Sequence, residues 1–131
     1  MNLSLLCVIL AAAFFAWALW RARPEVGPEA LRTALKAGTA VLVDVREPSE
    51  WAGGTARDAV LLPLSDLRGE RRQWHPFLEK HRDRQLFLYC QSGSRSALAA
   101  AQLRREGLAA RNAGSLAALD RAGWPMCRRR P

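Results

Sequence analysis

The chain opens with one long apolar segment, and shorter apolar runs follow it. Residues 3–20 contain no charged side chain. As a helix this segment would span about 27 Å at 1.5 Å per residue, close to the hydrocarbon thickness of a bilayer. Trp20 ends the segment, and Arg21 and Arg23 follow, as is typical of a membrane–water interface. We therefore expect residues 1–23 to form a transmembrane anchor that contacts the membrane through residues 3–20.

The basic residues around this segment predict its orientation. No Lys or Arg precedes it, so the positive-inside rule places its C-terminal side in the cytoplasm. We expect a single-pass protein of the inner (cytoplasmic) membrane, with the rest of the chain facing the cytoplasm. The alternative is a cleaved secretory signal, which would leave the chain in the periplasm. The missing basic residue near the start and the poor cleavage site at Ala16-Trp17-Ala18 argue against it.

The remaining residues alternate between strand-like and helix-like stretches. Short apolar runs predict strands at residues 41–45, 60–62 and 86–89, and residues 108–111 predict a last one. Helical spacing and Pro and Gly signals predict helices or turns at 28–37, 48–51, 65–68, 77–80, 96–106 and 115–121. The stretch around 77–80 is charged, so we expect a solvated helix there. This alternation predicts an α/β fold with a parallel sheet covered on both faces.

Arginine gives the chain of 131 residues a net charge of +8. A basic surface can meet nucleic acid, acidic protein or anionic lipid. No basic motif interleaved with aromatic residues argues for nucleic acid, so we expect no nucleic-acid partner and favour lipid. The length fits one domain plus an appendage, with the domain at residues 24–125 and a basic tail at residues 126–131. The tail is either a disordered solubilising end or a contact with anionic lipid head groups.

The cysteines and histidines do not have the spacing of a metal site or a disulfide framework. Cys7, Cys90 and Cys127 include no C-x-x-C, which is typical of a reducing compartment. His75 and His81 have no ligand-like neighbours, so we expect no bound metal. A role for Cys127 as a resolving thiol stays open.

One loop concentrates the chemistry. Cys90 ends a predicted strand, and Ser92, Gly93 and Ser94 lead into a predicted helix. The unpaired N–H groups and the dipole at a helix start favour an anion. A cysteine there should have a lowered pKa and be a thiolate near neutral pH. Arg95 adds a cation that suits an oxyanion such as sulfonate or phosphate.

Three motifs resemble, in the right order, those of the rhodanese family. Residues 89–96 are similar to its active-site loop, and residues 112–119 to its closing N-x-G-G-x-x-x-W segment. The family's opening motifs are matched by Asp44-Val45-Arg46-Glu47-Pro48, Glu50-Trp51, Gly54, Ala59 and Pro63. The resemblance spans about residues 26–125.

The chain also departs from the family pattern. Gln91 stands where many thiosulfate-using members carry Arg or Lys directly after the cysteine. A neutral residue there weakens the anion field, so a donor other than thiosulfate stays open. The other departures lie away from the loop, at Thr55, Ala56, Asp58, Ser115 and Leu119.

The resemblance implies a small α/β domain with a five-stranded parallel sheet, here preceded by a transmembrane helix. It implies that Cys90 is the catalytic nucleophile and carries sulfur as a persulfide. The expected substrate- and anion-binding loop consists of Gln91, Ser92, Gly93, Ser94 and Arg95. We expect Asp44, Arg46 and Ser96 to support this loop, the first two as a structural ion pair. The chemistry needs no metal or organic cofactor.

These residues predict a membrane-anchored sulfurtransferase of the thiosulfate sulfurtransferase type, with its catalytic domain facing the cytoplasm. It would move sulfane sulfur from thiosulfate or a protein persulfide to a thiophilic acceptor, and an integral-membrane protein is a further candidate partner. The alternative is a membrane-tethered rhodanese-fold binding module with little turnover. A phosphatase or arsenate reductase is disfavoured, because those enzymes use Cys-x5-Arg, whereas four residues separate Cys90 from Arg95.

Overall fold

The computed structural model describes residues 2–128, and it has the alternating helices and strands that the sequence predicts. The elements in chain order are α1 (Leu3–Arg21), α2 (Pro28–Lys36), β1 (Ala40–Asp44), α3 (Pro48–Trp51), β2 (Thr55–Ala56), β3 (Val60–Leu61), α4 (Leu64–Arg68), α5 (Trp74–Lys80), β4 (Gln85–Cys90), α6 (Ser94–Arg105), β5 (Ala110–Ser115), α7 (Leu116–Arg121) and β6 (Met126–Cys127).

The main sheet is parallel and has four strands, in the order β3-β1-β4-β5. The five-stranded sheet that the resemblance implied is therefore wrong, whereas the apolar runs had predicted four strands. The two remaining strands, β2 and β6, pair antiparallel in a separate two-stranded sheet. Two features hold β2 there: the N–H of Arg57 donates to the carbonyl of Pro125 at 2.8 Å, and Asp58 turns the chain with a φ of 67°.

The sheet separates two hydrophobic clusters, one on each face. Successive side chains of a strand point to opposite faces, so β4 contributes to both clusters. Leu88 and Cys90 join the cluster beneath α6, whereas Phe87 and Tyr89 join the cluster that includes Leu31 of α2. The strand therefore delivers Cys90 to the face that carries the helix following it.

Two segments differ from what the sequence predicts. The last strand spans Ala110–Ser115 rather than 108–111, because the buried polar side chain of Asn112 finds partners inside the fold and no apolar run is needed. The charged stretch before β4 forms the predicted helix, but the helix is not solvated on all sides. Instead, α5 buries Trp74 and Phe77, whose rings pack edge to face with their centroids 5.9 Å apart.

The N-terminal helix α1 stands apart from both clusters. None of its 19 residues is buried, and its mean hydropathy reaches 2.3. It is the one helix of residues 2–128 that is long and apolar enough to cross a membrane. Its length and composition fit either a membrane anchor or a secretory signal.

Candidate active site

Cys90 lies at the carboxyl end of β4 and is completely buried. Its sulfur faces the start of α6 and accepts hydrogen bonds there. The N–H of Gly93 donates to Sγ at 3.1 Å, and Ser96 donates through its N–H at 3.5 Å and its hydroxyl at 3.4 Å. Carboxyl ends of strands are where open α/β folds place their sites. The loop thus forms a cradle of donors around one sulfur atom.

These donors lower the pKa of the Cys90 thiol. Burial by itself would raise the pKa, since it disfavours the charged thiolate. The Ser96 hydroxyl and the backbone N–H groups of Ser96, Ser92 and Gly93 outweigh burial, because each of them stabilises the anion. The sequence predicted this direction from the helix start alone. The structure adds the hydroxyl of Ser96 to the donors around the sulfur.

The loop itself needs a left-handed residue at Gly93, whose φ is 91°. This conformation is easy for glycine and costly for other residues. It turns the chain from the strand into α6, so that the N–H of Gly93 points at the sulfur. Ser92 and Ser94 are exposed and lie side by side, with their hydroxyl oxygens 3.2 Å apart. The cradle therefore has a polar outer rim.

Arg95 does not point freely into the loop. Its two terminal nitrogens donate to the two carboxylate oxygens of Glu50 at 2.6 and 2.8 Å. Arg95 lowers the pKa of Glu50 to about 2, and Glu50 in turn is the main reason that the pKa of Arg95 is raised. The thiolate of Cys90 contributes to the same rise. The guanidinium therefore joins α3 to the reactive loop while remaining within electrostatic reach of the sulfur.

A buried ion pair supports the loop from the neighbouring strand. Arg46 donates from Nη2 to Oδ2 of Asp44 at 2.8 Å, as the sequence predicts for these two residues. The hydroxyl of Tyr89 also donates to that carboxylate, at 2.7 Å. Arg46 reaches further, to the carbonyl of Gly54 at 2.6 Å and to the side-chain oxygen of Gln91 at 3.3 Å. Gln91 is thus tied to the ion pair, although the residue itself is exposed.

Asn112 is a second buried support for the loop. Its Oδ1 accepts from the hydroxyl of Ser96 at 2.7 Å, so Oδ1 and the sulfur of Cys90 share the one proton of that hydroxyl. Its Nδ2 donates to the carbonyl of Gly93 at 3.1 Å. The same Nδ2 lies 3.3 and 3.2 Å from the carbonyls of Ala22 and Arg23. Asn112 therefore connects the reactive loop to the segment that follows α1.

The geometry places all nine predicted site residues around one end of the sheet. The family model described as "Rhodanese-like domain" matches residues 27–120, which include all of them. The chain belongs to the rhodanese family.

Relatives of this rhodanese domain are found in several organisms. An uncharacterized protein of Synechocystis is 36% identical over 102 residues, which are 76% of this chain and 54% of the relative. The chain spans about half the length of the curated relatives it matches. The structure of a human single-domain sulfurtransferase, TSTD1, is 34% identical with a TM-score of 0.60, covering 72% of this chain and 93% of that one. A rhodanese-related protein from Thermoplasma volcanium is 25% identical with a TM-score of 0.66, covering 82% of this chain and all of that one.

Sequence reasoning did not place Glu50, Tyr89 or Asn112 in the site. All three residues lie within the family-like motifs of the sequence, and these motifs are the signal that could have identified them. Their roles depend on distant partners: Glu50 pairs with Arg95, 45 residues away, and Asn112 pairs with Ser96, 16 residues away. Among residues 2–128, no group of three or more His, Cys, Asp or Glu side chains is arranged to hold a metal ion.

Proposed function

We propose that this chain is a sulfurtransferase that carries sulfane sulfur on Cys90. The observation that supports this most is the donor cradle, in which the N–H groups of Gly93 and Ser96 and the hydroxyl of Ser96 all lie 3.1–3.5 Å from one buried sulfur. Such a cradle suits a nucleophile that must be an anion before and after the reaction. Backbone N–H groups that stabilise developing negative charge are a general means of lowering a barrier.

The proposed reaction has two steps and balances without a cofactor. The Cys90 thiolate attacks the outer sulfur of a donor, for example thiosulfate, and sulfite leaves with the electron pair of the broken S–S bond. The protein then carries a persulfide anion. A thiophilic acceptor, such as cyanide or a thiolate, attacks the terminal sulfur and regenerates the Cys90 thiolate. Arg95 holds the loop through Glu50, and its charge lies within electrostatic reach of the sulfur.

Gln91 bears on which donor the protein uses. It is exposed beside the loop, and its side chain accepts a hydrogen bond from Arg46 at 3.3 Å. A neutral amide at this position offers a small inorganic dianion less attraction than Lys or Arg would. We therefore propose that a protein persulfide is a better donor than thiosulfate.

We further propose that α1 anchors the domain in the inner membrane, with the catalytic domain facing the cytoplasm. The exposed apolar surface of α1 and the two arginines that follow support this. The proposed division is an anchor at 1–23, the domain at 24–125 and a basic tail at 126–131, of which 129–131 lie outside the described residues. An integral-membrane protein is the proposed further partner.

Intact-mass measurement tests the proposed chemistry. The chain from residue 21 onward is incubated with thiosulfate or with the persulfide form of a cysteine desulfurase, and then with cyanide. We expect the mass to rise by one sulfur atom and to return after cyanide. Cys90→Ala should abolish the gain, whereas the matched control Cys127→Ala, at an exposed cysteine, should retain it. If no donor adds sulfur to the chain with Cys90 intact, the proposal is wrong.

A tethered binding module is a second candidate, favoured by the complete burial of Cys90. A module that only recognises a partner would keep the loop as a shape and would have no need of the sulfur. Cys90→Ser preserves that shape and removes the nucleophile. Partner binding that survives this substitution, together with the absence of any persulfide, would favour the module.

A further inference from the structure

A basic cavity of about 630 Å³ lies where α1 meets α6, outside the cluster of side chains around Cys90. Three arginines line it: Arg21 at the end of α1, Arg23 in the segment that follows, and Arg104 near the end of α6. Trp20 and Glu25 complete much of the wall. Neither the family match nor the proposed sulfur chemistry accounts for this cavity.

The charges in the cavity do not cancel. Glu25 is the one carboxylate in the lining, and it faces three guanidinium groups. Its Oε1 is already engaged, since it accepts from Nη1 of Arg104 at 3.3 Å and from the N–H of Asn112 at 3.0 Å. Two net positive charges therefore remain, in a concave surface beside an aromatic ring. Such a site is complementary to an anion.

The arginines are held in place by the protein before any ligand arrives. The guanidinium carbon of Arg21 lies 5.2 Å from the ring centroid of Trp17, and that of Arg23 lies 5.5 Å from the ring centroid of Trp20. Arg104 is fixed by Nη1, which donates to the carbonyl of Ala110 at 2.9 Å. Among residues 2–128, its Nε and Nη2 have no hydrogen-bond partner. The planar guanidinium fork is the group that proteins favour for binding phosphate.

The position of the cavity identifies the source of the anion. It opens at the C-terminal end of α1, whose other side chains are apolar apart from Ser4, and none of them is buried. Trp and Arg at the end of an apolar helix mark the head-group level of a bilayer. We propose that this cavity binds the phosphate of an anionic phospholipid, and that the lipid bridges the anchor to α6. This inference rests on the proposed membrane anchorage of α1.

Native mass spectrometry of the full chain tests the proposal. The protein is reconstituted in nanodiscs of equimolar phosphatidylcholine and phosphatidylglycerol, released into the gas phase, and the retained lipids are counted by head group. Both lipids contain phosphate, but only phosphatidylglycerol has a net negative charge. We expect phosphatidylglycerol to be retained preferentially, with one lipid bound more tightly than the rest.

The end of α6 offers a matched pair of variants. Arg104→Gln and Arg105→Gln make the same change in charge at adjacent positions, yet only Arg104 lines the cavity. Arg104→Gln should lower the preference for phosphatidylglycerol by about fivefold or more, the scale set by one basic residue at an anionic surface. Arg105→Gln should leave it nearly unchanged. Arg23→Gln serves as a second cavity variant, because among residues 2–128 the one hydrogen bond of the Arg23 side chain goes to the carbonyl of Trp20 in the same segment.

The possible outcomes distinguish failure of the lipid-site proposal from failure of the membrane-anchor proposal on which it rests. Equal retention of both lipids by the native chain would overturn the lipid site, as would equal losses in Arg104→Gln and Arg105→Gln. Displacement of the bound phosphatidylglycerol by millimolar inorganic phosphate would assign the cavity to a free anion and overturn the lipid assignment. Failure of the chain to enter the bilayer at all would instead refute the membrane anchor, and a persulfide on Cys90 would be unaffected by either result.

Discussion

Replacing Gly93 with alanine should expose how closely the segment after α1 is packed against the reactive loop. A Cβ at Gly93 would lie 2.3 Å from the carbonyl oxygen of Ala22. That oxygen belongs to the backbone and lies 3.3 Å from Nδ2 of Asn112, so it cannot move without breaking contacts. Gly93→Ala therefore forces segment 22–25 away from the domain.

The expected cost has two parts. A left-handed alanine costs about 1–2 kcal/mol. Moving segment 22–25 sacrifices three hydrogen bonds: the one from Asn112 Nδ2 that the carbonyls of Ala22 and Arg23 share, the one from Glu25 N to Asn112 O at 2.7 Å, and the one from Asn112 N to Glu25 Oε1 at 3.0 Å. At about 1 kcal/mol each, this adds about 2–3 kcal/mol. We expect Gly93→Ala to lower the free energy of unfolding by about 3–5 kcal/mol in total.

Gly107 supplies the matched control for backbone strain. Its φ of 88° is close to that of Gly93, but nothing lies within 4 Å of the position its Cβ would occupy. Gly107→Ala should therefore cost only about 1–2 kcal/mol, the strain alone. Both substitutions are measured by urea unfolding in two soluble chains, one beginning at residue 21 and one at residue 26. The shorter chain lacks Ala22 and still contains the whole family match, which begins at residue 27.

The comparison between the two chains tests whether the packing of Ala22 against Gly93 is what makes glycine necessary at that position. In the longer chain, Gly93→Ala should be clearly worse than Gly107→Ala. In the shorter chain, the two should cost about the same. If Gly93→Ala is as costly in the shorter chain as in the longer one, the packing of Ala22 against the loop is not what makes glycine necessary there.

Three further predictions concern the loop and its supports. Ser96→Ala should move the pH profile of thiol alkylation to higher pH, because a donor to the thiolate is lost, whereas the exposed neighbour Ser94→Ala should not; equal profiles would contradict the assigned cradle. Tyr89→Phe should lower the free energy of unfolding by about 1–3 kcal/mol, since a buried N–H and the carboxylate of Asp44 each lose a partner; a neutral result in thermal melts would count against that network. The depressed pKa of Glu50 adds stability that is present above the unfolded pKa of 4.5 and lost as pH falls toward about 2. With both side chains of its ion pair about one third exposed, the loss should be only about 1 kcal/mol, and acid titrations of Glu50→Gln should lack it.

The fold was predictable wherever burial follows local pattern. Apart from Asp44, the runs at 41–45 and 86–89 are apolar because parallel central strands are covered on both faces, and the two runs correspond to β1 and β4. β5 was misplaced because Asn112 interrupts its apolar pattern with a polar side chain that is satisfied by distant partners. β2 and β6 were missed because strands of two residues exist only through their pairing across about 70 residues of chain.

In the candidate site too, contacts between residues close in the sequence were predictable, whereas contacts between distant residues were not. Cys90, Gly93 and Ser96 act through bonds within a single turn of chain, so a strand–loop–helix pattern was enough to predict a lowered thiol pKa. Arg95 was predicted as a cation for the substrate, and the structure shows its fork occupied by Glu50. That pairing joins residues 45 positions apart, and no local pattern encodes it.

The hydrogen bonds of segment 22–25 also bear on how the domain would meet its partners. A long flexible tether would let a domain rotate and sample a hemisphere of solution above the bilayer. Here the two residues that follow α1, Ala22 and Arg23, accept from the side chain of Asn112 through their carbonyls. These contacts restrict rotation of the domain relative to α1. With α1 in a bilayer, Cys90 would stay at one height and one tilt. Delivery of sulfur would then become a search in two dimensions, which favours acceptors that present their thiols at that same depth.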